Sequence, residues 1–446
     1  GTEFGDKFLQ FYQKKYKNII NISKIEANPD QSKHLETVTF KLNGIDFDVV
    51  NLRKEEYTDH SRIPDAKYAT PKEDALRRDL TFNALFYNIN TKKVEDYTGK
   101  GINDLINGIA NTPLEAMQTY TDDPLRILRN IRHAITKLGY VLSDEIIIAA
   151  QNDKILKLLE TKVSRERYAQ EFVKILKGYN VSSALNVMAK LGIAKVMFKM
   201  PDKVNGLKDS NDNIWDKCAQ YSDTLNMILL NENKNIKGIK DAKKILKDKQ
   251  NDIMLSAFLM PFIGVTYKVK KKHESIIQYF MLKSLPGMGK KMMENILVYH
   301  NTVELFMKVI RMNIDKKINN DTIDDEFMRS QRLYIGKALN IGKEKWRDVV
   351  YLVKCEMIIQ GYNDKILNEL IKWIENDSDL IECWKWKLIR GNELINDYNM
   401  KPGKKIGMLV RYIKDETLMN PKLRLNDNDN KHALKQLINA WIDNNK

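Results

Sequence analysis

The early part of the chain alternates apolar and polar residues in the manner of β-strands. Residues 37–42 (TVTFKL) and 45–50 (IDFDVV) are separated by Asn43-Gly44, a dipeptide that strongly favours a two-residue hairpin. Because side chains alternate between the faces of a strand, Asp46 and Asp48 should project from one side of the second strand. The pattern predicts an antiparallel pair with two carboxylates on one face.

The periodicity becomes helical from about Glu73, and we extend this helix through Ala84. A further strand pair is predicted around Leu85 to Asp96. Beyond Leu114 almost every segment has the spacing of an amphipathic helix. The predicted fold class is α+β, with a small α/β head followed by an extended all-helical neck, body and tail. The predicted domains are 1–114 for the head, 115–200 for the neck and 201–446 for the body and tail.

The charge of the chain favours a polyanionic partner. Seventy-four Lys and Arg residues against fifty-nine Asp and Glu residues leave a formal net charge of +15, so nucleic acid is the first partner to consider. A solvated basic surface without a ligand is the alternative. Lys-rich helical faces are expected to bind RNA in the body and tail, and the candidate residues are Lys268, Lys270, Lys271, Lys272, Lys404 and Lys405.

Cysteine usage and hydropathy exclude several other classes of protein. Cys218, Cys355 and Cys383 are far apart and form neither a CxxC pair nor a disulfide framework. The chain has no run of about eighteen apolar residues, so no membrane span is expected. The N-terminal residues do not resemble a signal peptide, and they lack an initiator Met, which is consistent with processing or an incomplete chain.

The run from Arg77 to Leu85 (RRDLTFNAL) is the first candidate for chemistry. On a helix, Asp79 and Asn83 share a face because they are four residues apart, and Arg78 lies beside them. Such a group can bind a sugar hydroxyl and a phosphate together. An ordinary surface ion-pair cluster is the alternative.

The run from Asp122 to Arg132 (DDPLRILRNIR) is the second candidate. Asp123 is expected to cap a helix that begins at Pro124, so Asp123 and Arg126 can present an acceptor and a planar donor to one base. Arg129 and Arg132 continue the same stripe and are expected to meet phosphates. A capped helix with arginines lying over its core face is the alternative.

The order of these motifs resembles one enzyme family. The chain contains, in order, Arg-Arg-Asp with a later Asn-Ala, then Asp96-Tyr97-Thr98-Gly99, then Asp-Asp-Pro-Leu-Arg-Ile-Leu-Arg. This series is similar to that of class II CCA-adding tRNA nucleotidyltransferases and the related bacterial poly(A) polymerases. The resemblance continues through residues 163–167, which resemble the family's helix-stabilising element. Residues 257–262 are similar to fungal and other eukaryotic members, and residues 401–407 resemble the family's tail.

The resemblance implies roles for individual residues. Arg78, Asp79 and Asn83 match the run that recognises the ribose and phosphates of the incoming nucleotide. Asp123 and Arg126 match the amino-acid template that pairs with CTP or ATP. Asp122 stands where many relatives have Glu, and it retains the negative charge.

One family motif is not found in this sequence. The family's head opens with a Gly-Gly segment followed by an Asp-x-Asp pair that binds two Mg²⁺ ions, and the sequence contains no Gly-Gly dipeptide. Asp46-Phe47-Asp48 matches the Asp-x-Asp pattern of this pair. The residues that follow it, however, resemble a later strand of the family's head, which supplies a third metal-binding carboxylate, and Asp48 is the best match to that carboxylate. Asp48 is therefore the catalytic candidate, and Asp48 and Asp46 are the metal candidates. The resemblance thus implies a truncated nucleotidyltransferase-type head, and this chain is expected to bind tRNA but to add little CCA.

The resemblance implies addition of CMP, CMP and AMP from CTP and ATP to the 3′ end of tRNA by two-metal phosphoryl transfer. A poly(A) polymerase of the same family and a non-catalytic RNA-binding remnant are the alternatives. No stable protein partner is predicted. The cytoplasm, nucleus, mitochondrion and plastid all remain open as compartments.

Overall fold

The computed structural model describes residues 2–17, 21–25, 36–58, 61–207, 213–232, 252–318, 324–424 and 428–445. The chain divides into two compact units. The first contains Gly1–Lys199 with Ser284–Gly287, and the second contains Met200–Lys283 with Met288–Lys446.

Short helices and small sheets make up the first unit. Its helices are α1 (Thr2–Tyr16), α2 (Pro71–Leu76), α3 (Gly101–Asn107), α4 (Ala116–Asp122), α5 (Arg126–Asn130), α6 (Asp144–Gln151), α7 (Asp153–Lys162), α8 (Arg165–Leu176), α9 (Val181–Lys190) and α10 (Ile193–Met197). Its strands are β1 (Ile22–Ile25), β2 (Thr37–Leu42), β3 (Ile45–Val50), β4 (Arg53–Thr58), β5 (Ser61–Tyr68), β6 (Phe86–Asn88), β7 (Lys93–Glu95), β8 (Ile109–Ala110) and β9 (Val141–Leu142).

The predicted hairpin at Asn43-Gly44 is confirmed. Asn43 and Gly44 have φ values of +49° and +81°, and β3 pairs antiparallel with β2, which in turn pairs with β1. The Phe40 ring stacks on Phe47 at 5.3 Å and on Phe8 of α1 at 5.0 Å. Helix α1 therefore covers the apolar face of this sheet, which leaves the opposite face for Asp46 and Asp48.

The helix that we predicted from Glu73 to Ala84 is wrong in its length. Helix α2 ends at Leu76, and Thr81–Ala84 forms a separate 3₁₀ turn. Leu80 is extended and fully buried, and the Thr81 N–H donates to the Asn111 carbonyl oxygen at 2.9 Å, so contacts with distant residues replace the helix that local periodicity favoured. The predicted strand pair that follows is present as β6 and β7.

Helices dominate the second unit. They are α11 (Ile214–Glu232), α12 (residues 252–258), α13 (Ile276–Tyr279), α14 (Lys290–Ile318), α15 (Asp325–Gly342), α16 (Trp346–Ile359), α17 (Asp364–Asn376), α18 (Gly391–Tyr398), α19 (Lys404–Met419) and α20 (Asn428–Asn444). The core of its C-terminal part contains buried side chains from three of these helices, namely Leu394, Leu409, Ile413, Leu434 and Ile438.

The second unit also contains a small antiparallel sheet, so it is not purely helical as predicted. The sheet consists of β10 (Val204–Asn205), β11 (Thr266–Val269) and β12 (Lys272–Ser275). Its hairpin turns at Lys270, whose φ is +54°. Because a lysine occupies a position where Asn or Gly is usual, the sequence carried no ordinary turn signal.

The α+β fold class is confirmed. The predicted boundary between head and neck, at residues 114 and 115, lies inside the first unit and stays a prediction. Within the described part of the chain, no helix combines the length and apolarity that a membrane crossing requires.

Two glycines in helices of the second unit provide a matched test of its packing. A Cβ added at Gly336 of α15 would lie 2.6 Å from Leu418 Cδ2, whereas one at Gly407 of α19 would meet nothing within 4 Å. We expect Gly336→Ala to destabilise the unit by about 1–3 kcal/mol through overpacking. Gly407→Ala should stabilise it by roughly 0.5–1 kcal/mol through helix propensity. Chemical denaturation measures both, and equal shifts of the same sign would contradict this packing.

Candidate functional site

Asp74 organises two consecutive arginines at the end of α2. The helix begins with a capping box, in which Thr70 and Glu73 bind each other's backbone N–H groups. Asp74 is 1% exposed and accepts hydrogen bonds from the backbone N–H of Arg53 at 3.0 Å, Arg77 Nη2 at 2.5 Å and Arg78 Nη2 at 2.9 Å. Burial opposes ionisation, but these hydrogen bonds outweigh it and lower the pKa of Asp74. The carboxylate is therefore charged and fixed at neutral pH.

A second pair of carboxylates holds Arg126. Its Nη2 lies 3.2 Å from Glu55 Oε2, and its Nε lies 3.6 Å from Asp79 Oδ1. The side chains of Arg126 and Glu55 are only 7% and 9% exposed. Glu55 Oε1 also accepts a hydrogen bond from Arg77 at 3.1 Å, which joins this pair to the Asp74 cluster. Glu55 and Asp79 therefore fix the orientation of the Arg126 guanidinium plane from two sides.

Asp123 is held by different partners from Arg126. Its Oδ1 accepts a hydrogen bond from the Leu125 N–H at 3.2 Å, and its Oδ2 pairs with Arg167 Nη2 at 3.1 Å. The expectation that Asp123 caps the helix is wrong, because α5 begins at Arg126, and Leu125 stands at the cap position without a side-chain cap hydrogen bond. The bond from the Leu125 N–H to Asp123 instead holds the turn that precedes the helix. The two template candidates are neighbours on one turn, since the Arg126 N–H donates to the Asp123 carbonyl oxygen at 3.0 Å.

Asp122 lies beside this turn and is partly buried. Burial raises the pKa of Asp122, while the positive charges of Arg126 and Lys162 oppose the shift. The charge of Arg126 therefore acts on Asp122 as well as on its direct partners Glu55 and Asp79.

The two arginines that continue the stripe along the chain, Arg129 and Arg132, differ in exposure. Arg129 Nε binds Asp79 Oδ2 at 2.6 Å, and the Arg129 side chain is 41% exposed. Arg132 Nε instead binds Glu171 of α8 at 2.7 Å, and both side chains are nearly buried. Arg132 therefore joins α8 to the helical segment Ile131–Leu138, and its expected contact with phosphate stays a prediction.

Arg78, Asp79 and Asn83 come together without sharing a helical face. Arg78 Nη1 donates to the backbone oxygen of Asn83 at 3.0 Å, and its guanidinium lies 4.9 Å from the centre of the Phe86 ring. Asp79 turns toward Arg126 and Arg129. The Asn83 side chain is exposed, which leaves it accessible to a ligand.

The predicted metal ligands lie on the exposed face of β3. Asp46 is opposite Lys41, with Lys41 Nζ 3.6 Å from Asp46 Oδ1, and Asp48 is opposite Thr39. Both carboxylates are exposed, as the alternation predicted. Among the residues that the structure describes, no group of three or more His, Cys, Asp and Glu side chains is placed to hold a metal ion.

The lysines predicted to bind RNA are exposed, but their secondary structure differs from our prediction. Lys268, Lys270, Lys271 and Lys272 lie on the hairpin of β11 and β12, not on a helix. Lys404 and Lys405 begin α19, and Lys405 Nζ donates to the backbone oxygen of Asn445 at 2.6 Å.

Sequence reasoning missed four residues of the cluster, namely Asp74, Glu55, Arg53 and Arg167. Asp74 carried a usable signal, because it precedes Arg77 and Arg78 by three and four residues on a helix. Glu55 and Arg53 are two apart on β4, which indicates only a shared strand face. Arg167 was part of a family-like run, but the sequence gave no partner for it.

The comparisons with known proteins agree with this arrangement. Residues 1–110 match the family model of the poly A polymerase head domain, and residues 155–204 match a probable RNA and SrmB-binding site of polymerase A. The mitochondrial CCA tRNA nucleotidyltransferase of Saccharomyces cerevisiae is 32% identical over 439 residues, which cover 92% of this chain and 77% of that protein. The tRNA nucleotidyltransferase cca1 of Schizosaccharomyces pombe is 31% identical and covers 90% of this chain and 78% of that protein.

This chain belongs to the CCA tRNA nucleotidyltransferase family.

Solved structures support the fold of this tRNA nucleotidyltransferase. A CCA-adding enzyme in complex with CTP has a TM-score of 0.52 at 16% identity and covers 99% of this chain and 84% of that one. The Bacillus stearothermophilus CCA-adding enzyme in complex with CTP has a TM-score of 0.50 at 16% identity and covers 95% and 85%. At this identity the likeness concerns the fold alone.

Replacing Asp74 by Asn tests the anchor of the arginine cluster. We expect a loss of about 2–3 kcal/mol of stability at neutral pH, because buried or half-buried cations lose their charged partner. The pKa of Asp74 is lowered from 3.8, so its stabilisation is present above that pH and is lost as the pH falls through the lower folded-state value. Urea denaturation of the wild type and Asp74→Asn across acidic pH should therefore show the difference shrinking below about pH 4.

Glu73→Gln is the matched control, since Glu73 lies next to Asp74 but is exposed and only caps the helix. It should cost less stability than Asp74→Asn. An equal loss in both variants would contradict the anchoring role of Asp74.

Proposed function

We propose that the cluster around Arg126 selects CTP and ATP during addition of CMP, CMP and AMP to the 3′ end of tRNA. The observation that carries this proposal is that Arg126 and Asp123, one turn apart, are each fixed by separate partners in the same unit. Glu55 and Asp79 hold Arg126, while Arg167 and the Leu125 N–H hold Asp123.

Fixed donors and acceptors suit the recognition of a base without a nucleic-acid template. A guanidinium offers donors in a rigid plane, and a carboxylate offers acceptors, so the pair can read the hydrogen-bonding edge of one base. Preorganised groups discriminate strongly, because a wrong base leaves a buried polar group without a partner. Arg78 and Asn83 lie close by and are suited to the sugar and phosphates, since Arg78 is 35% exposed and the Asn83 side chain is exposed.

Enzymes of this family generally depend on a divalent metal, and we propose Mg²⁺ as the ion. Mg²⁺ prefers carboxylate oxygens in octahedral geometry. Asp48 and Asp46 have the right donor chemistry and share one exposed face of β3, but two carboxylates on one strand do not fit a complete two-metal site. We propose that these two carboxylates supply some of the ligands of the metal ion.

The second unit is proposed to bind tRNA through exposed lysines. The β11–β12 hairpin presents Lys268, Lys270, Lys271 and Lys272, and α19 begins with Lys404 and Lys405. Such exposed cations neutralise phosphates without reading sequence, as expected for the shape recognition of duplex RNA.

The relatives from Saccharomyces cerevisiae and Candida glabrata are mitochondrial enzymes. The mitochondrion is accordingly a candidate compartment for this chain, beside the others that the sequence leaves open.

A product assay tests the proposed activity against its alternatives. Purified protein is incubated with Mg²⁺, CTP, ATP and a tRNA that lacks its terminal CCA, and the extended ends are sequenced. Ordered addition of two C residues and one A residue supports the proposal. Runs of A alone would favour poly(A) synthesis, and tRNA binding with no extension would favour an RNA-binding remnant.

Arg126→Ala tests nucleotide selection without requiring turnover. Loss of the planar donor should weaken binding of CTP and ATP by roughly tenfold or more, which corresponds to one charge-assisted hydrogen bond. Their preference over UTP and GTP should fall with it. The measurement is a nucleotide titration by calorimetry, and tRNA affinity provides the second readout. Unchanged nucleotide preference with weakened tRNA binding would contradict the assignment.

Two paired variants test the hairpin lysines. Lys268→Ala with Lys272→Ala removes two charges from the β11–β12 hairpin, and Lys365→Ala with Lys372→Ala removes two exposed charges from α17. We expect the hairpin variant alone to bind tRNA more weakly and to reduce the slope of log affinity against log salt by about 0.7–0.9 per lost phosphate contact. Identical slopes for both double variants would place the RNA elsewhere.

A further inference from the structure

A cavity of about 410 Å³ lies within the second unit, between α11, α14, α16 and the segment that follows α12. Nearly buried side chains form its floor, among them Met260, Val303 and Met307, which are at most 3% exposed. Its volume falls in the range of about 300–1,000 Å³ that small-ligand pockets occupy.

Residue pairs spaced four apart on three helices line this cavity. Lys217 and Tyr221 belong to α11, Met307 and Arg311 to α14, and Glu356 and Gln360 lie at the end of α16. Residues at this spacing share a helical face, so the three helices direct one face each to a common space. The exposed members, Lys217, Arg311 and Gln360, lie at the mouth together with the exposed Glu304, whereas Tyr221 and Met307 are buried and Glu356 is partly buried.

The polar wall of the cavity centres on Glu356. The Tyr221 hydroxyl donates to Glu356 Oε2, and Gln360 Nε2 donates to Glu356 Oε1 at 3.3 Å. Burial and the Glu356 charge raise the pKa of Tyr221, so the hydroxyl remains a donor at neutral pH. Both carboxylate oxygens are thereby oriented, and each retains a lone pair for a further donor.

We propose that this cavity binds a single nucleotide, with its base on the apolar floor, an N–H edge of the base toward Glu356 and its phosphate toward Arg311 and Lys217. The floor suits a flat aromatic ring, and the polar wall supplies acceptors. Guanine is the best match, because its N1–H and amino group lie side by side and can donate to one carboxylate. Arg311 and Lys217 match a phosphate, because their two positive charges outweigh the single carboxylate of Glu304 that lines the same cavity.

The site goes beyond the proposed nucleotide selection, which involves residues of the first unit. The same chemistry is offered by a free mononucleotide and by an unstacked guanosine of an RNA. GMP serves as the probe for both sources, and competition by tRNA separates them.

The test uses the full chain in an Arg126→Ala background, which removes the donor of the proposed nucleotide-selecting cluster. Binding of GMP and UMP is followed by saturation-transfer NMR and calorimetry. We expect GMP to bind more tightly than UMP. Arg311→Ala should weaken GMP binding by about tenfold, and Glu356→Gln should remove the preference for GMP over UMP. Lys372→Ala, which removes one exposed charge from α17, is the matched control and should leave GMP binding unchanged.

Thermal unfolding establishes that each variant is folded. If Glu356→Gln does not fold, Gln360→Ala takes its place, because it changes an exposed residue and removes the amide that donates to Glu356 Oε1. Displacement of GMP by tRNA assigns the cavity to an RNA nucleotide, and simultaneous binding assigns it to a free one, so both results support the proposal. It is overturned if GMP does not bind and tRNA affinity is equal in Arg311→Ala and Lys372→Ala. It is also overturned if GMP binding is the same in Arg311→Ala and Lys372→Ala.

Discussion

The pairing of Arg126 with Glu55 and Asp79 is the constraint on which the first unit depends. A guanidinium that is only 7% exposed is tolerated only when carboxylates and hydrogen bonds compensate for its lost hydration. Glu55 comes from β4, Asp79 from the turn after α2, and Arg126 from the start of α5, so the requirement fixes three segments against one another. Asp74 extends the same constraint, because its carboxylate binds the backbone of Arg53 and the side chains of Arg77 and Arg78.

This constraint also explains why the cluster suits recognition of a base. Discrimination between bases requires donors and acceptors that do not rearrange to fit the wrong one. Arg126 and Asp123 satisfy this requirement because each is held by partners other than the ligand. The proposed selection of CTP and ATP therefore follows from rigidity that the fold needs for its own stability.

The two units use charge in different ways. In the cluster around Asp74 and Arg126 of the first unit, opposite charges are paired and partly or wholly withdrawn from solvent, where salt screens them little. In the second unit the lysines of the β11–β12 hairpin are exposed, so their interactions are long-ranged at low salt and weak at high salt. The first arrangement serves geometry, and the second serves affinity for a polyanion such as tRNA.

The sequence by itself determined the features that depend on neighbouring residues. The Asn43-Gly44 hairpin, the β6–β7 pair, the exposed faces of Asp46 and Asp48 and the predominance of helix follow from local periodicity and turn chemistry, and the ordered motifs indicated the family. Local periodicity was insufficient to predict secondary structure where contacts with other segments decide it. The helix from Glu73 stops at Leu76, and the lysines near residue 270 form a hairpin. The ion pairs of the site were decided only by tertiary structure. Arg126 and Glu55 are 71 residues apart, Arg129 and Asp79 are 50 apart, and Arg167 and Asp123 are 44 apart. Helical and strand spacing constrains only residues a few positions apart, so packing alone chose which carboxylate each of these arginines meets.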